Sequence, residues 1–296
     1  MLPKRHMEAR TLILRNAIAT CFAAVSIATA ADVTVEGGAI MATSGGVSSD
    51  SVPDTPKTDV AGWMLWGQSN AQGIGSGSSG LVSLGYPSVW MEYNDLFYAV
   101  TNSPTDWGLE MQATEVMSVS NSLSFGWSKT AVGGTSLDTD WEPDNTSGAQ
   151  LYSAALADWR RFRSNMGLRG WSVDPDVMVW MQGEYDSNEI MHAGEEGMAD
   201  RYYGNLTNLI ARTRSDLCSP SMQIYVCRIH TNFLAGHAPS DVATVRAAQT
   251  NAALLDGVEW VDTDGLSTED VYELHYDNGG LVGLGQRVAD KYLEAN

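Results

Sequence analysis

Basic side chains are scarce in this chain: 17 Lys and Arg stand against 36 Asp and Glu, a formal net charge of −19 across 296 residues. A surface this acidic repels nucleic acid phosphate and anionic membranes, so neither is expected as a partner. A polyanionic substrate is disfavoured for the same reason, and no local basic cluster offsets the charge. A neutral ester, a sugar ester included, remains compatible. Long apolar runs are also missing: residues 17–30 come nearest, and they fall short of the roughly 20 residues that span a bilayer. Cysteine is rare, with three in the chain. Two of them, Cys218 and Cys227, lie outside the first thirty residues, and without companion ligands they make a poor metal site.

The amino-terminal thirty residues read as targeting rather than fold. Lys4, Arg5, Arg10 and Arg15 form a basic lead, a short apolar run follows, and Ala28-Thr29-Ala30 fits the small-x-small cleavage rule. A signal peptide over residues 1–30 is expected, with the mature protein secreted or periplasmic. Cleavage there would remove four of the 17 basic residues and one of the 36 acidic ones, leaving 13 against 35. Residues 31–59, rich in Gly, Ser, Thr, Asp and Pro, read as a flexible lead-in, and residues 60–296 as the folded domain. Cys218 and Cys227 are nine positions apart across a Ser219-Pro220-Ser221 turn. They either pair across that turn or, on a straight strand, stand too far apart for a disulfide.

Apolar periodicity organises the rest. Residues 60–66, 124–132, 173–181, 222–230 and 258–261 read as strands, and residues 86–100 as a hairpin or short strand pair centred on Asn94-Asp95. Helical spacing covers residues 150–162, 199–214, 240–255 (with Ser240 as its cap) and about 280–293. Strands alternating with helices of this length predict an α/β fold, a three-layer sandwich with a central, mainly parallel five-stranded sheet. Crossovers between parallel strands have a nearly invariant hand, so the carboxyl ends of the strands share one edge. Residues 67–69, Gly133-Gly134, residues 182–184 and His230 all arrive there.

The chemistry centres on residues 63–73, WMLWGQSNAQG, where an apolar strand stops at a glycine and presents Ser69. A serine hydroxyl is a weak nucleophile until a base takes its proton, and histidine, with an unperturbed pKa of about 6.5, suits that role. His192 and His237 lie in loop-like contexts, and His230 is either a substrate contact or a satisfied polar residue. His275, just before the last helix, is the candidate that can return to the sheet edge.

These residues carry a resemblance. The segments GQSNAQG at 67–73, KTAVGGTSLDTDW at 129–141, WMQGEYD at 180–186 and LHYDNGGLVGLGQR at 274–287 resemble, in this order, the SGNH hydrolase superfamily. Within it they are most similar to the sialate O-acetylesterase and acetylxylan esterase group of carbohydrate esterases. The resemblance implies a serine esterase acting on acetylated oligo- or polysaccharide without metal or organic cofactor. It makes Ser69 the nucleophile and His275 its base. It builds an oxyanion hole from the backbone N–H groups of Ser69 and of Gly133 or Gly134, together with the Gln182 side chain. Gln68 and Asn70 become substrate neighbours, and Trp141 is expected to offer a sugar-stacking face. One position departs from the wider pattern: Tyr272 stands where an aspartate is usual. Glu184 is therefore the preferred group to orient His275, with Glu273 and Asp270 as alternatives. The departure also leaves open a carbohydrate-binding relative without turnover, and a short-chain acyl esterase without sugar preference remains a second alternative.

Overall fold

Successive side chains on a strand point to opposite faces, so a strand apolar at every position needs cover on both sides. Strand β3, Thr58–Gly67, becomes such a strand after its polar, exposed start: all six of its last residues are buried. The computed structural model describes residues 33–36, 39–42, 58–73, 86–100, 107–121, 125–188, 196–231, 238–269 and 274–296. The chain divides into two units, residues 1–56 and 57–296. Described in the first are β1 (Val33–Glu36) and β2 (Ala39–Ala42), which pair antiparallel within the segment read as a lead-in. The expected signal peptide lies outside the described residues.

The second unit is built on a seven-stranded sheet in the order β5-β4-β6-β3-β7-β8-β9. Its five parallel members expected from sequence are β3, β6 (Phe125–Ala131), β7 (Trp171–Met181), β8 (Gln223–Cys227) and β9 (Val258–Val261). Two further strands, β4 (Tyr86–Tyr93) and β5 (Leu96–Val100), extend it beyond β6. They form an antiparallel hairpin with Tyr93 opposite Leu96. Asn94 and Asp95 make the two-residue turn at φ of 51° and 60°, the left-handed pair that matches the twist of the strands. The sheet is therefore mainly parallel with one antiparallel edge.

Six α-helices are described: α1 (Ser69–Gln72), α2 (Leu109–Asn121), α3 (Leu151–Gly167), α4 (Met198–Asp216), α5 (Pro239–Asn251) and α6 (Asn278–Ala295). Met64 and Trp66 of β3 share one core with α3, α4 and α5. Trp63 and Leu65, on the other face, share a second core with α2 and α6. These two cores are the outer interfaces of a three-layer α/β/α sandwich. Helices α2 and α6 cross closely at Gly285, where a Cβ would lie 2.3 Å from the Leu109 carbonyl oxygen. Ser240 is not the cap of α5; Pro239 occupies the first turn after Ala238, the start that suits its missing N–H. Asp277 caps α6 by accepting from the Gly280 N–H. Cys227 is a free, buried thiol at the end of β8, so the pairing with Cys218 does not form. Cys218 lies before that strand, in the turn after α4, at φ 54°.

Candidate active site

A chain leaving the centre of a parallel sheet must turn at once or run into its neighbour. Gly67 makes that turn at φ 153°, and a Cβ there would sit 1.9 Å from the Met181 carbonyl oxygen of β7. No other residue fits. The Gln68 N–H then donates to that same carbonyl at 3.1 Å, and the short helix α1 follows with Ser69 as its first residue. The early N–H groups of a helical turn have no partner within it, so they face outward at the sheet edge. Beneath α1, Lys129 of β6 is 1% exposed. Its ammonium donates to the Gln72 carbonyl and to Glu110 Oε1, each at 2.7 Å.

His275 arrives just before α6 and brings Nε2 to 3.1 Å from Ser69 Oγ, across 206 positions of sequence. Both residues are partly exposed, while Gln68, Asn70 and Tyr276 beside them are buried. Asn70 is 1% exposed. Its Nδ2 donates to Glu184 Oε1 at 2.6 Å and to the Leu274 carbonyl at 3.0 Å. Its Oδ1 accepts from the Tyr276 N–H at 3.2 Å. Glu184 lies at the end of β7, 2% exposed. Burial raises its pKa; the Asn70 hydrogen bond and, to a smaller degree, a charged His275 oppose that rise. Among the described residues its Oε2 has no hydrogen-bond partner. Asp270 and Glu273, the alternative acids, lie outside the described residues.

Gly133 and Gly134 form the turn after β6 and are exposed. A Cβ at Gly133 would lie 3.5 Å from that of Ser69, so this turn borders the serine, and Gly134 adopts φ 68°. Gln182 does not share that position. It is fully buried, and Nε2 donates to the Thr135 carbonyl at 2.9 Å and to Asp186 Oδ2 at 2.6 Å. Both hydrogens are engaged, so the side chain braces the loop and offers no donor at the serine. Asp186 completes the brace by accepting from the backbone N–H groups of Leu137 and Asp138. Burial pushes its carboxyl up to about 7, against the hydrogen bonds from Gln182 and the two N–H groups.

Three expected substrate neighbours are placed otherwise. Gln68 is buried, and its Oε1 accepts from the N–H groups of Gly183 and Tyr185 at 3.3 and 3.2 Å, tying the serine turn to the loop after β7. Asn70 spends its amide on protein partners. Trp141 is 0% exposed, stacked on Trp66 and edge-on to Trp180, with Nε1 donating to Thr135 Oγ1. It is a core side chain without a free face. His230 is buried and lies edge-on to Tyr276. Lys129 and Glu110 were not singled out from sequence, although a lysine inside the apolar strand SFGWSKTAV was the signal for a buried pair. No group of three or more His, Cys, Asp or Glu that could hold a metal occurs among the described residues.

A family model described as carbohydrate esterase, sialic acid-specific acetylesterase matches residues 59–294. The chain belongs to this family. As a member of these carbohydrate esterases it is a carboxylic ester hydrolase. Similar solved structures include a protein of Arabidopsis thaliana, at 24% identity and TM-score 0.62, covering 79% of this chain and 98% of that one. NanS is similar at 11% identity and TM-score 0.59, covering 81% and 98%. A carbohydrate acetylesterase from Xanthomonas citri matches at 14% identity and TM-score 0.56, covering 77% of this esterase and 54% of its own chain. At these identities the structures speak for the fold. No curated protein matches the chain in sequence.

Proposed function

We propose that this esterase removes O-acetyl groups from acetylated carbohydrate, of the sialic acid or xylan type, through an acyl-enzyme on Ser69. The observation that carries the reading is the 3.1 Å approach of His275 Nε2 to Ser69 Oγ in a chain of the carbohydrate esterase family. His275 takes the Ser69 proton as Oγ bonds to the acetyl carbon, and the carbonyl oxygen gains the negative charge. Backbone N–H groups of Ser69 and of the 133–134 turn receive that charge; each preorganised donor of this kind is worth about 10²–10³ in rate. The tetrahedral intermediate collapses as His275 returns the proton to the departing sugar oxygen. Water, deprotonated by the same ring, then attacks the acetyl-serine; the acyl–Oγ bond breaks as the ring returns that proton to Ser69 Oγ, and acetate leaves. The buried Glu184 favours a charged His275 during both steps. Residues 1–30 direct export, so the reaction takes place outside the cytoplasm or in the periplasm.

Ser69→Ala is expected to abolish release of p-nitrophenol from its acetate ester; wild-type turnover in that variant would sink the nucleophile assignment. A panel of O-acetylated sialic acid, acetylated xylan and simple acyl esters reads the substrate. Preference for the simple esters would overturn the carbohydrate assignment.

A further inference from the structure

We propose that Asn70 is the positioning residue that sets His275 against Ser69, its carboxamide standing in for a peptide group beside the histidine. This rests on the Ser69–His275 esterase reading. A carboxamide carries the same donor and acceptor as a peptide, and here it uses them as a neighbouring strand would. Nδ2 donates to the carbonyl of Leu274 and Oδ1 accepts from the N–H of Tyr276. Those groups lie one residue before and one residue after His275, so the pair of bonds brackets the histidine backbone and fixes the direction of its Cα–Cβ bond.

The remaining Nδ2 hydrogen donates to the Glu184 carboxyl oxygen at 2.6 Å. That contact also settles the orientation of the amide. A flipped carboxamide would set its oxygen against a carbonyl and a carboxylate, and its nitrogen against an N–H. Both Nδ2 hydrogens and the oxygen are thus engaged with protein, and at 1% exposure the side chain is turned away from solvent. Asn70 also follows Ser69 directly. The nucleophile and the clamp on its base are therefore one peptide apart, and the gap between Oγ and Nε2 is set over that single link. Glu184 acts on the histidine through this amide.

Asn70→Ala and Asn70→Asp, assayed with p-nitrophenyl acetate beside wild type and Ser69→Ala, test the assignment. Aspartate keeps the shape and the acceptor for Tyr276 but loses both donated bonds, so it decides the matter if the alanine variant does not fold. Each folded variant should lose about 10²-fold in kcat, the cost of a misplacement near 1 Å, with KM unchanged. Labelling of Ser69 by a serine-reactive phosphonate should slow in proportion, because it needs the same base. Wild-type kcat in either folded variant, or a rise in KM with kcat intact, overturns the positioning role while leaving the esterase reading standing. Turnover in Ser69→Ala overturns the esterase reading itself, and the positioning role with it.

Discussion

Lys129 and Glu110 form an ion pair at 2.7 Å with both side chains essentially out of solvent, directly beneath the helical turn that carries Ser69. Taking two charges out of water is costly, and the attraction between them offsets that cost only while both are present. Lys129→Met should therefore lower unfolding stability by about 3–5 kcal/mol in a urea titration. Adding Glu110→Gln should recover much of the loss, since the amide oxygen still accepts from the Gly108 N–H and no bare charge is left. A double variant no better than the single one would show that the pair is not acting as a unit.

Glu184 reaches Asn70 through one oxygen, and this separates its charge from its shape. Glu184→Gln retains an acceptor for Asn70, whereas Glu184→Ala retains nothing. Hydrogen bonds to charged groups exceed neutral ones by about 1 kcal/mol. The glutamine variant should therefore lose roughly fivefold in kcat and the alanine variant more. Equal losses would point to charge alone. If Glu273→Gln proves far more damaging than either, the acid behind His275 is Glu273.

Asp186 gives a pH dependence with a definite sign. Its carboxyl titrates at about 7 in the folded protein, pushed up by burial, against an ordinary value near 3.9. Between those values the folded state holds a proton that the unfolded state has released, so this group's contribution to stability falls as pH rises from about 4 to about 7. The slope is at most about 1.4 kcal/mol per pH unit. Denaturant midpoints of wild type and Asp186→Asn, compared across that range, should show wild type losing ground steadily. A constant difference would mean that the carboxyl titrates normally.

Trp141 offers the cleanest contrast between core and sugar platform. Trp141→Ala should cost about 3–5 kcal/mol of stability, the usual figure for a buried tryptophan. In whatever fraction remains folded, KM for acetylated sugar should be unchanged. A raised KM at full stability would restore the stacking role.

Gly67→Ala should not fold. With φ at 153° and a carbonyl oxygen 1.9 Å from the new carbon, neither rotation nor a small shift relieves the overlap. Loss of the cooperative thermal transition is the expected result, and a normal melt would contradict the turn geometry.

Much of this was legible in the chain because parallel strands buried on both faces leave apolar runs, plainest at the ends of β3 and β7 and in β8. Helix α2 escaped notice: Leu109, Met111, Ala113 and Met117 are buried, but serines and β-branched residues blur their spacing. At the site, Ser69 and His275 could be proposed because their residue types announce their chemistry. Gln68, Asn70 and Gln182 could not be assigned from type alone, since an amide looks the same in sequence whether it faces a ligand or a buried carbonyl. Trp141 misled for a related reason. An aromatic beside a glycine turn reads as a surface feature until the two tryptophans that enclose it are seen.

The tripeptide Gln68-Ser69-Asn70 sends three consecutive side chains to three different destinations: the loop after β7, the histidine ring, and the backbone around that ring. The phase of the chain at the end of β3 is therefore read out three times over. Inserting or deleting one residue there would not degrade the arrangement by degrees. It would hand each task to a side chain unable to perform it, so this junction tolerates exchange of its surroundings far better than any change in its own count.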